Sequence, residues 1–311
     1  MNKVKFSAFG DLHHDEHWVG DTQERLDFIL ERAKKESVDF VIHLGDFCHD
    51  PLKVKDTIDK YNNFELPTYH VLGNHDTNFS SLAQTMECFN MASDYYYFDK
   101  NGFRFIVLNT NFLRHEGKDI SLEKMNHRQY RPYKNCLSAS QLEWLEEVAM
   151  SSPYPMVLFS HHTLSVDKGG LSNKEDLQNI IRKAHNNKKR ILMCINGHHH
   201  MNHMKIHEHV CYLYLNSPTM CYLPDEHHLF PEEFHQAHPG ARHCVIYNDP
   251  VHAIMTLSED GTIEIDGMRS SFFHGISKAS FTDDEYDPLS SFLVTFKSFP
   301  PKSNSILFSF E

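Results

Sequence analysis

Five short apolar runs of this chain each end abruptly in side chains that bind metal ions. The run from 68 to 72 is followed at once by Gly73, Asn74, His75 and Asp76, so an amide oxygen, an imidazole and a carboxylate stand in consecutive positions. Oxygen and imidazole donors without thiolates suit Mn, Fe or Zn better than Mg or Ca. The other four runs end in residues of the same types: Asp11 and His13, then Asp46, then His161 and His162, then His198, His199 and His200.

The five runs have the residue types of β-strands, and helical patterns lie among them. Apolar residues at helical spacing and capping residues predict helices over 21–37, 53–63, 80–91, 138–151 and 174–187. Strands that alternate with helices indicate an α/β fold. Ligands of an open α/β sheet bind beyond the carboxyl ends of its strands, so the five strand ends are expected to meet at one place.

Other parts of the chain depart from this alternation. An Asn-Gly pair at 101–102 between two β-prone runs predicts a hairpin, and a late section over 243–266 predicts further strands. Residues 223–242, rich in His, Glu and Pro, are expected to form a long loop. Residues 110–136 have no clear period and are interpreted as an insertion, because a connection this long is usually functional or disordered.

Length and charge limit the classes of function. A chain of 311 residues buries a full core, and we assign 1–270 to one catalytic domain, with its metal motifs at 11–200, and 271–311 to a C-terminal extension. The net charge of −12, without a run of basic residues, disfavours nucleic acid and anionic membranes as partners. Neither a secretory signal nor a run of eighteen apolar residues is present, so we expect a cytoplasmic protein, with a homo-oligomer left open. Seven cysteines without a CxxC pair are interpreted as reduced thiols.

A pair of metal ions would explain why so many ligands are present. Two divalent ions about 3.5–4 Å apart need a bridging ligand, further ligands on each side, and an open position for water and substrate. Asp46 is the natural bridge, because a carboxylate has two oxygens. Each segment alone is compatible with an ordinary turn, but five such turns at the same position of the fold would be a coincidence.

The ordered set of motifs resembles one known family. Asp-x-His, Gly-Asp, Gly-Asn-His-Asp, a His after a strand and Gly-His-x-His, in this order over residues 3–216, resemble the motifs of the calcineurin-like metallophosphoesterase superfamily. The resemblance implies an α/β fold of two packed mixed β-sheets flanked by helices, an α/β/β/α sandwich. It also implies two divalent metal ions (Mn, Fe or Zn) as cofactors and a phosphoester as substrate.

The same resemblance assigns roles to individual residues. A metal-bridging hydroxide would attack phosphorus, since metal binding can lower the pKa of water to about 7. His75 would bind the phosphate or protonate the leaving oxygen, and Asp76 would orient His75. The implied ligands are Asp11, His13, Asp46 and His200 for one ion, and Asp46, Asn74, His161 and His198 for the other.

The fourth motif departs from that of many relatives, which continue with His-Pro where this chain has His162 and Thr163. We assign His161 as the ligand because it comes first after the strand, with His162 as the alternative. His199 is expected to point away from the metals.

Several further residues have two interpretations. Arg114, Arg128, Arg131 and Lys134 are interpreted as solvated charges, with a substrate clamp as the alternative, and Arg131 is the candidate substrate contact beside Asn74 and His75. Residues 95–98 are assigned to sheet core rather than to a base-stacking platform. Histidines outside strand ends are expected to lie in a solvated loop: His227, His228, His235, His238 and His243.

The chain resembles compact bacterial members of that superfamily, and this resemblance implies hydrolysis of a small phosphodiester, of the cyclic nucleotide or glycerophosphodiester type. Phosphomonoesters and nucleotide pyrophosphates are alternative substrates for the same site. A nuclease is disfavoured because the acidic balance offers no broad basic surface. The remaining alternative is a non-catalytic metal-binding scaffold. The insertion at 110–136, with the late β section, is expected to form a cap that selects the substrate.

Overall fold

A computed structural model of the chain describes residues 2–15, 17–165, 170–223, 226–277, 280 and 306–309. The strands are β1 (Lys3–Phe9), β2 (Phe40–His43), β3 (Thr68–His70), β4 (Tyr96–Lys100), β5 (Phe103–Val107), β6 (Phe112–His115), β7 (Lys118–Ser121), β8 (Asn135–Cys136), β9 (Met156–Ser160), β10 (Ile191–Asn196), β11 (His203–His207), β12 (Val210–Tyr214), β13 (Met220–Tyr222), β14 (Cys244–Ile246), β15 (Ala253–Ser258), β16 (Thr262–Gly267) and β17 (Ile306–Ser309). The helices are α1 (Thr22–Lys35), α2 (Lys55–Asn62), α3 (Leu82–Cys88), α4 (Ala139–Ser151), α5 (Lys174–Asn186) and α6 (Glu232–Ala237).

Two six-stranded mixed sheets form the centre of the fold. The first has the order β17-β16-β15-β1-β2-β3 and the second the order β11-β12-β10-β9-β5-β4. Strands β1, β2 and β3 are parallel, with Phe9 beside His43 and His43 beside His70. In the second sheet β5, β9, β10 and β12 are parallel, and Asn196 lies beside Ser160. This register brings the carboxyl ends of the predicted motif strands to one edge of each sheet.

The two sheets pack face to face through a layer of buried aromatic rings. The rings of Phe6 and Phe40 stack at 4.9 Å, and Phe6 makes edge contacts with Phe105 and Phe159 of the second sheet at 5.6 and 5.8 Å. All four side chains are fully buried. Because aromatic side chains bury large apolar areas, this layer holds the two sheets, and so the two halves of the site, together.

Helices cover the outer faces of both sheets. Leu26 and Ile29 of α1 and Ile58 of α2 pack on the first sheet, while Leu145 of α4 and Ile181 of α5 pack on the second. The layer order is therefore helix, sheet, sheet, helix, and the predicted α/β/β/α sandwich is confirmed.

The insertion at 110–136 has more regular structure than expected. It contains the three-stranded sheet β7-β6-β8 and a 3₁₀ turn at Asn126–Tyr130. Its strands have only two to four residues, too few to show a period in the sequence. The Thr77 hydroxyl donates to the Leu122 carbonyl oxygen at 2.8 Å, and the Asn111 amide donates to the Leu72 carbonyl oxygen at 2.9 Å. These bonds connect the insertion to the segment that contains residues 73–76, the central motif.

Two expectations about the C-terminal third need correction. Residues 223–242 are not all loop, because α6 and a 3₁₀ turn at Pro239–His243 lie there. His235 on α6 is buried against Phe230 rather than solvated. Strand β14 pairs with β13 in a small separate sheet, whereas β15 joins the first large sheet beside β1.

Much of the predicted C-terminal extension, 281–305 with 310–311, lies outside the described residues. Within the described ones, Phe272 and Ile276 pack into a small core with β13 and β14, and β17 pairs with β16. Over the described ranges, every helix is too short or too polar to cross a bilayer.

Candidate metal centre

The predicted ligands follow their strands in tight backbone turns. Positive φ is uncommon outside glycine, and residues held there often serve a functional site. Here it marks the turns by which the chain leaves the strands and places Asp11 with His13, and His198 with His200, at the site. Five predicted ligands have φ between 47° and 68°: Asp11, His13, Asp46, His198 and His200.

The first group of donors is Asp11, His13 and His200. His200 Nε2 lies 3.3 Å from Asp11 Oδ1 and 3.1 Å from His13 Nε2, and all three side chains are buried. Each offers a donor atom to one common point, with the donors within 4.8 Å of one another. Together with Asp46, these three residues are the set predicted to bind one ion.

The second group surrounds His161 Nε2. Asp46 Oδ2, Asn74 Oδ1 and His198 Nδ1 each lie 3.2 Å from that nitrogen. Asp46 Oδ2 is also 3.8 Å from His13 Nε2 in the first group. Asp46 therefore stands between the two groups, where a bridging carboxylate is required.

Hydrogen bonds behind two of these imidazoles show that the site suits a cation. The Nδ1 of His161 is 2.9 Å from the Leu44 carbonyl oxygen, and the Nδ1 of His200 is 2.8 Å from the Met220 carbonyl oxygen. A carbonyl only accepts, so each Nδ1 carries a proton and, in the neutral ring, each Nε2 has a lone pair. These lone pairs face carboxylate and amide oxygens, an arrangement that needs a cation between them. The nitrogen and oxygen donors thus fit Mn, Fe or Zn.

The pKa shifts of the site also indicate that it suits a cation. Burial lowers the pKa of His161, but the Asp46 and Asp11 carboxylates and the Leu44 carbonyl together outweigh it and raise that pKa to about 9. Burial lowers the pKa of His13 and of His198 well below the usual range, which keeps both imidazoles neutral and able to bind metal. Without a metal, a proton on His161 takes the place of the cation.

Glycines let the segments approach closely enough to form the site. A Cβ atom at Gly45, where φ is +95°, would lie 2.5 Å from His161 Nδ1. A Cβ atom at Gly197 would lie 2.4 Å from Asp11 Oδ2. Side chains at these positions would displace the ligands themselves, which explains the glycine in two of the motifs.

The structure corrects the expected partner of His75. Both oxygens of the buried Asp76 carboxylate accept backbone N–H groups, those of Gly73, Asp46 and Cys48 at 2.8, 2.9 and 3.1 Å. Burial and the nearby Asp46 carboxylate raise the pKa of Asp76 to about 8, although the Gly73 and Cys48 N–H donors lower it. Because its oxygens accept hydrogen bonds from backbone N–H groups, Asp76 stabilises the turns that carry Asp46 and His75. It does not orient the His75 imidazole.

His75 is contacted instead by two residues that the sequence analysis did not single out. Asn78 Nδ2 donates to His75 Nδ1 at 3.1 Å, and His49 Nδ1 is 3.2 Å from the same atom. His49 Nε2 also lies 3.1 Å from His13 Nδ1, so His49 connects a predicted ligand with His75. Burial and the neighbouring His75 lower the pKa of His49 to about 4. Its position three residues after Asp46, at a motif strand end, was the available signal.

His162 and His199 are the remaining histidines of the fourth and fifth motifs. His162 Nδ1 is 2.8 Å from the Thr110 hydroxyl, and its ring lies 4.3 Å from that of His198. The ring of His199 lies 5.2 Å from that of Tyr214, on the neighbouring strand β12. His161 is thus the residue of the fourth motif that meets Asp46 and Asn74.

A cavity of about 160 Å³ opens beside Asn74 and His75. Arg131, the candidate substrate contact, is exposed and is not among the residues that line it. The insertion provides more than half of the wall, which consists of Asn74, His75, Thr77, Asn78, Leu122, Glu123, Met125, His127 and Tyr133.

Solved structures with the same fold include a dimetal phosphatase from Danio rerio. That protein is 15% identical, with a TM-score of 0.58 over 86% of this chain and 96% of its own. GAP50, the anchor in the inner membrane complex of Plasmodium, is 12% identical, with a TM-score of 0.55 over 95% of each chain. At these identities the likeness concerns the fold alone.

Sequence comparison identifies the family. A search of curated proteins finds no match. A family model described as calcineurin-like phosphoesterase matches residues 4–202, which contain every predicted metal ligand. The chain belongs to the calcineurin-like phosphoesterase family of metal-dependent phosphoric ester hydrolases.

Proposed function

We propose that this protein hydrolyses a small phosphodiester, of the cyclic nucleotide or glycerophosphodiester type. The observation that carries the proposal is the absence of Lys and Arg from the nine residues that line the cavity beside His75. A phosphodiester has one negative charge, whereas a phosphomonoester has about two near neutral pH. A cavity wall without a cationic side chain, and with the Glu123 carboxylate in it, favours the lower charge.

The proposed metal ligands are the residues of the two groups around Asp46. Their nitrogen and oxygen donors suit Mn, Fe or Zn. Two bound ions would lower the pKa of a water molecule and withdraw charge from the phosphoryl group. Asn74 and His75 face the cavity and are the proposed substrate contacts. Because His75 Nδ1 accepts a hydrogen bond from Asn78, the neutral ring carries its proton on Nε2. That nitrogen lies 4.0 Å from Asp46 Oδ2, so its proton is available to the leaving oxygen on the metal side.

The insertion shapes the part of the cavity that would hold the ester group. Leu122, Met125 and Tyr133 provide apolar and aromatic surface there. This supports the proposal that residues 110–136 select the substrate, but the late β section at 243–266, expected in the same cap, contributes none of the residues that line the cavity. The volume of about 160 Å³ suits a small ester group.

The test is hydrolysis of bis-p-nitrophenyl phosphate beside p-nitrophenyl phosphate by protein reconstituted with Mn. We expect a higher kcat/KM for the diester. A clear preference for the monoester would overturn the proposal. Two bound metals with no hydrolysis of either ester would instead favour the scaffold alternative.

A variant of one cavity residue tests the charge argument itself. His127→Arg adds a permanent cation to the cavity wall, and we expect it to raise the ratio of monoester to diester hydrolysis roughly fivefold, as one exposed charge pair of about 1 kcal/mol would. His127→Gln is the matched control, because it alters the same side chain without adding charge. Equal ratios in the two variants would show that cavity charge does not set the preference.

A further inference from the structure

Four cationic residues of the insertion form a basic rim, defined as Lys124, Arg128, Arg131 and Lys134. The segment 124–134 contains these four cations and no Asp or Glu, in a chain whose net charge is −12. All four side chains are exposed. Such a local excess of positive charge in an acidic protein is a feature that packing does not require.

The basic rim lies next to the cavity of the proposed active site. Its residues alternate along the chain with the cavity residues Met125, His127 and Tyr133. Lys124 donates its backbone N–H to the carbonyl oxygen of Thr77, another cavity residue, at 2.8 Å. Burial lowers the pKa of His127, and the charges of Arg131 and Arg128 lower it further, so both guanidinium groups act on the cavity wall.

No carboxylate in the described part of the chain neutralises the charges of the basic rim. Among the described residues, none of its four side chains is within ion-pair distance of a carboxylate. Arg114 in the same insertion differs, because Asp119 accepts from its guanidinium at 2.7 Å. Long, exposed and unpaired cations are able to turn toward an anion without first breaking another contact.

We propose that the basic rim binds a second anionic group of the substrate, a phosphate or carboxylate remote from the reacting phosphorus. This inference rests on the proposed function, because it concerns the outer part of the same small diester. The cavity wall, without cations, receives the singly charged diester, while the rim receives the additional anion. The preferred substrate class is therefore a small phosphodiester whose alcohol portion carries another anionic group.

The test compares two chromogenic diesters that differ only in the remote anion. They are the p-nitrophenyl ester of thymidine 5′-phosphate and the same compound with a 3′-phosphate. In both, water adds to the 5′-phosphorus, the bond from phosphorus to the p-nitrophenyl oxygen breaks, and p-nitrophenol leaves with a proton. We expect kcat/KM to be roughly tenfold higher for the 3′-phosphorylated ester, mainly through KM, as exposed ion pairs of modest strength would produce.

Charge-removing variants assign this preference to the rim. In the triple variant Arg128→Gln, Arg131→Gln and Lys134→Gln, which leaves Lys124 as the one cation of the rim, the ratio of the two kcat/KM values should fall close to one. Lys118→Gln, an exposed lysine of β7 in the same insertion, is the matched control and should keep the wild-type ratio. Raising the salt concentration should lower the wild-type ratio, because exposed charges are screened. Equal hydrolysis of the two esters by the wild type, or an unchanged ratio in the triple variant, would overturn the proposal.

A binding measurement separates failure of the rim from failure of the proposed function. Wild-type protein should bind thymidine 3′,5′-bisphosphate more tightly than thymidine 5′-phosphate, and the triple variant should not distinguish them. That result without diester hydrolysis would support the rim and contradict the proposed diesterase. Diester hydrolysis with equal binding of the two nucleotides would contradict the rim and leave the proposed function intact.

Discussion

Gly45→Ala should disable the metal centre through a single methyl group. The Cβ atom would lie 2.5 Å from His161 Nδ1 and 2.8 Å from the backbone of Gly73. To reach an ordinary contact of 3.4 Å, the His161 ring would have to move by about 0.9 Å. That movement strains its hydrogen bond to the Leu44 carbonyl oxygen, now 2.9 Å long, which fixes the ring toward Asp46.

The expected loss of unfolding free energy in Gly45→Ala has two parts. A non-glycine residue at the φ of +95° costs about 1–2 kcal/mol of unfolding free energy. The overlap in a packed site adds about 1–3 kcal/mol. We therefore expect Gly45→Ala to lower the unfolding free energy by roughly 2–5 kcal/mol. Loss of the orienting hydrogen bond should weaken metal binding by about 10–100-fold.

Three measurements test this prediction. They are urea denaturation, metal content after dialysis against limiting Mn, and turnover of bis-p-nitrophenyl phosphate. Gly117→Ala is the matched control, because Gly117 has a φ of +76° and nothing within 4 Å of the added atom. It should show the backbone cost with normal metal content and turnover. Identical stability, metal content and turnover in the two variants would refute the role given to close approach at Gly45.

Three other changes have defined outcomes. His49→Ala should lower kcat by about 10–100-fold, with part of the loss restored in His49→Gln, because His49 supports both His13 and His75; wild-type kcat in His49→Ala would contradict this. Above pH 8, where Asp76 is ionised, Asp76→Asn should lower the unfolding free energy by about 1–3 kcal/mol, since an amide leaves a backbone N–H unpaired; denaturation at wild-type urea concentrations would show that these bonds contribute little. Burial lowers the pKa of His70 to about 3, so the unfolded chain takes up a proton below pH 6.5 that the folded chain does not. Between pH 7 and pH 5 the wild type should lose about 2 kcal/mol from this group, and His70→Phe should lose that much less; equal losses would mean that His70 is protonated in the fold.

The fold, and the meeting of the candidate ligands at one place, were predictable from sequence for a definite physical reason. Side chains that follow buried strands are brought to one edge when those strands run in parallel register. Asp11, Asp46 and His198 illustrate this, because each comes directly after a strand end and its turn. The hairpin at 101–102 was predictable in the same local way, and φ is positive at both residues.

The contacts of the central motif were not predictable, because they depend on backbone groups brought together by folding. Asp76 follows His75 in sequence, yet its oxygens meet the N–H groups of Gly73, Asp46 and Cys48. His49 lies near a motif strand end in sequence, but its contact with His75 forms only when the chain after β2 turns toward His75. The buried His235 was likewise missed, since α6 has six residues and too few apolar positions to show a period.

The measurement that tests the two-metal phosphoesterase most directly is metal stoichiometry and diester hydrolysis in wild type and Asp46→Ala. Wild-type protein should bind two Mn ions per chain and hydrolyse bis-p-nitrophenyl phosphate. Asp46→Ala removes the carboxylate between the two donor groups, so it should retain fewer than two ions and lose nearly all turnover while its circular dichroism is unchanged. An Asp46→Ala protein with full turnover would contradict the account.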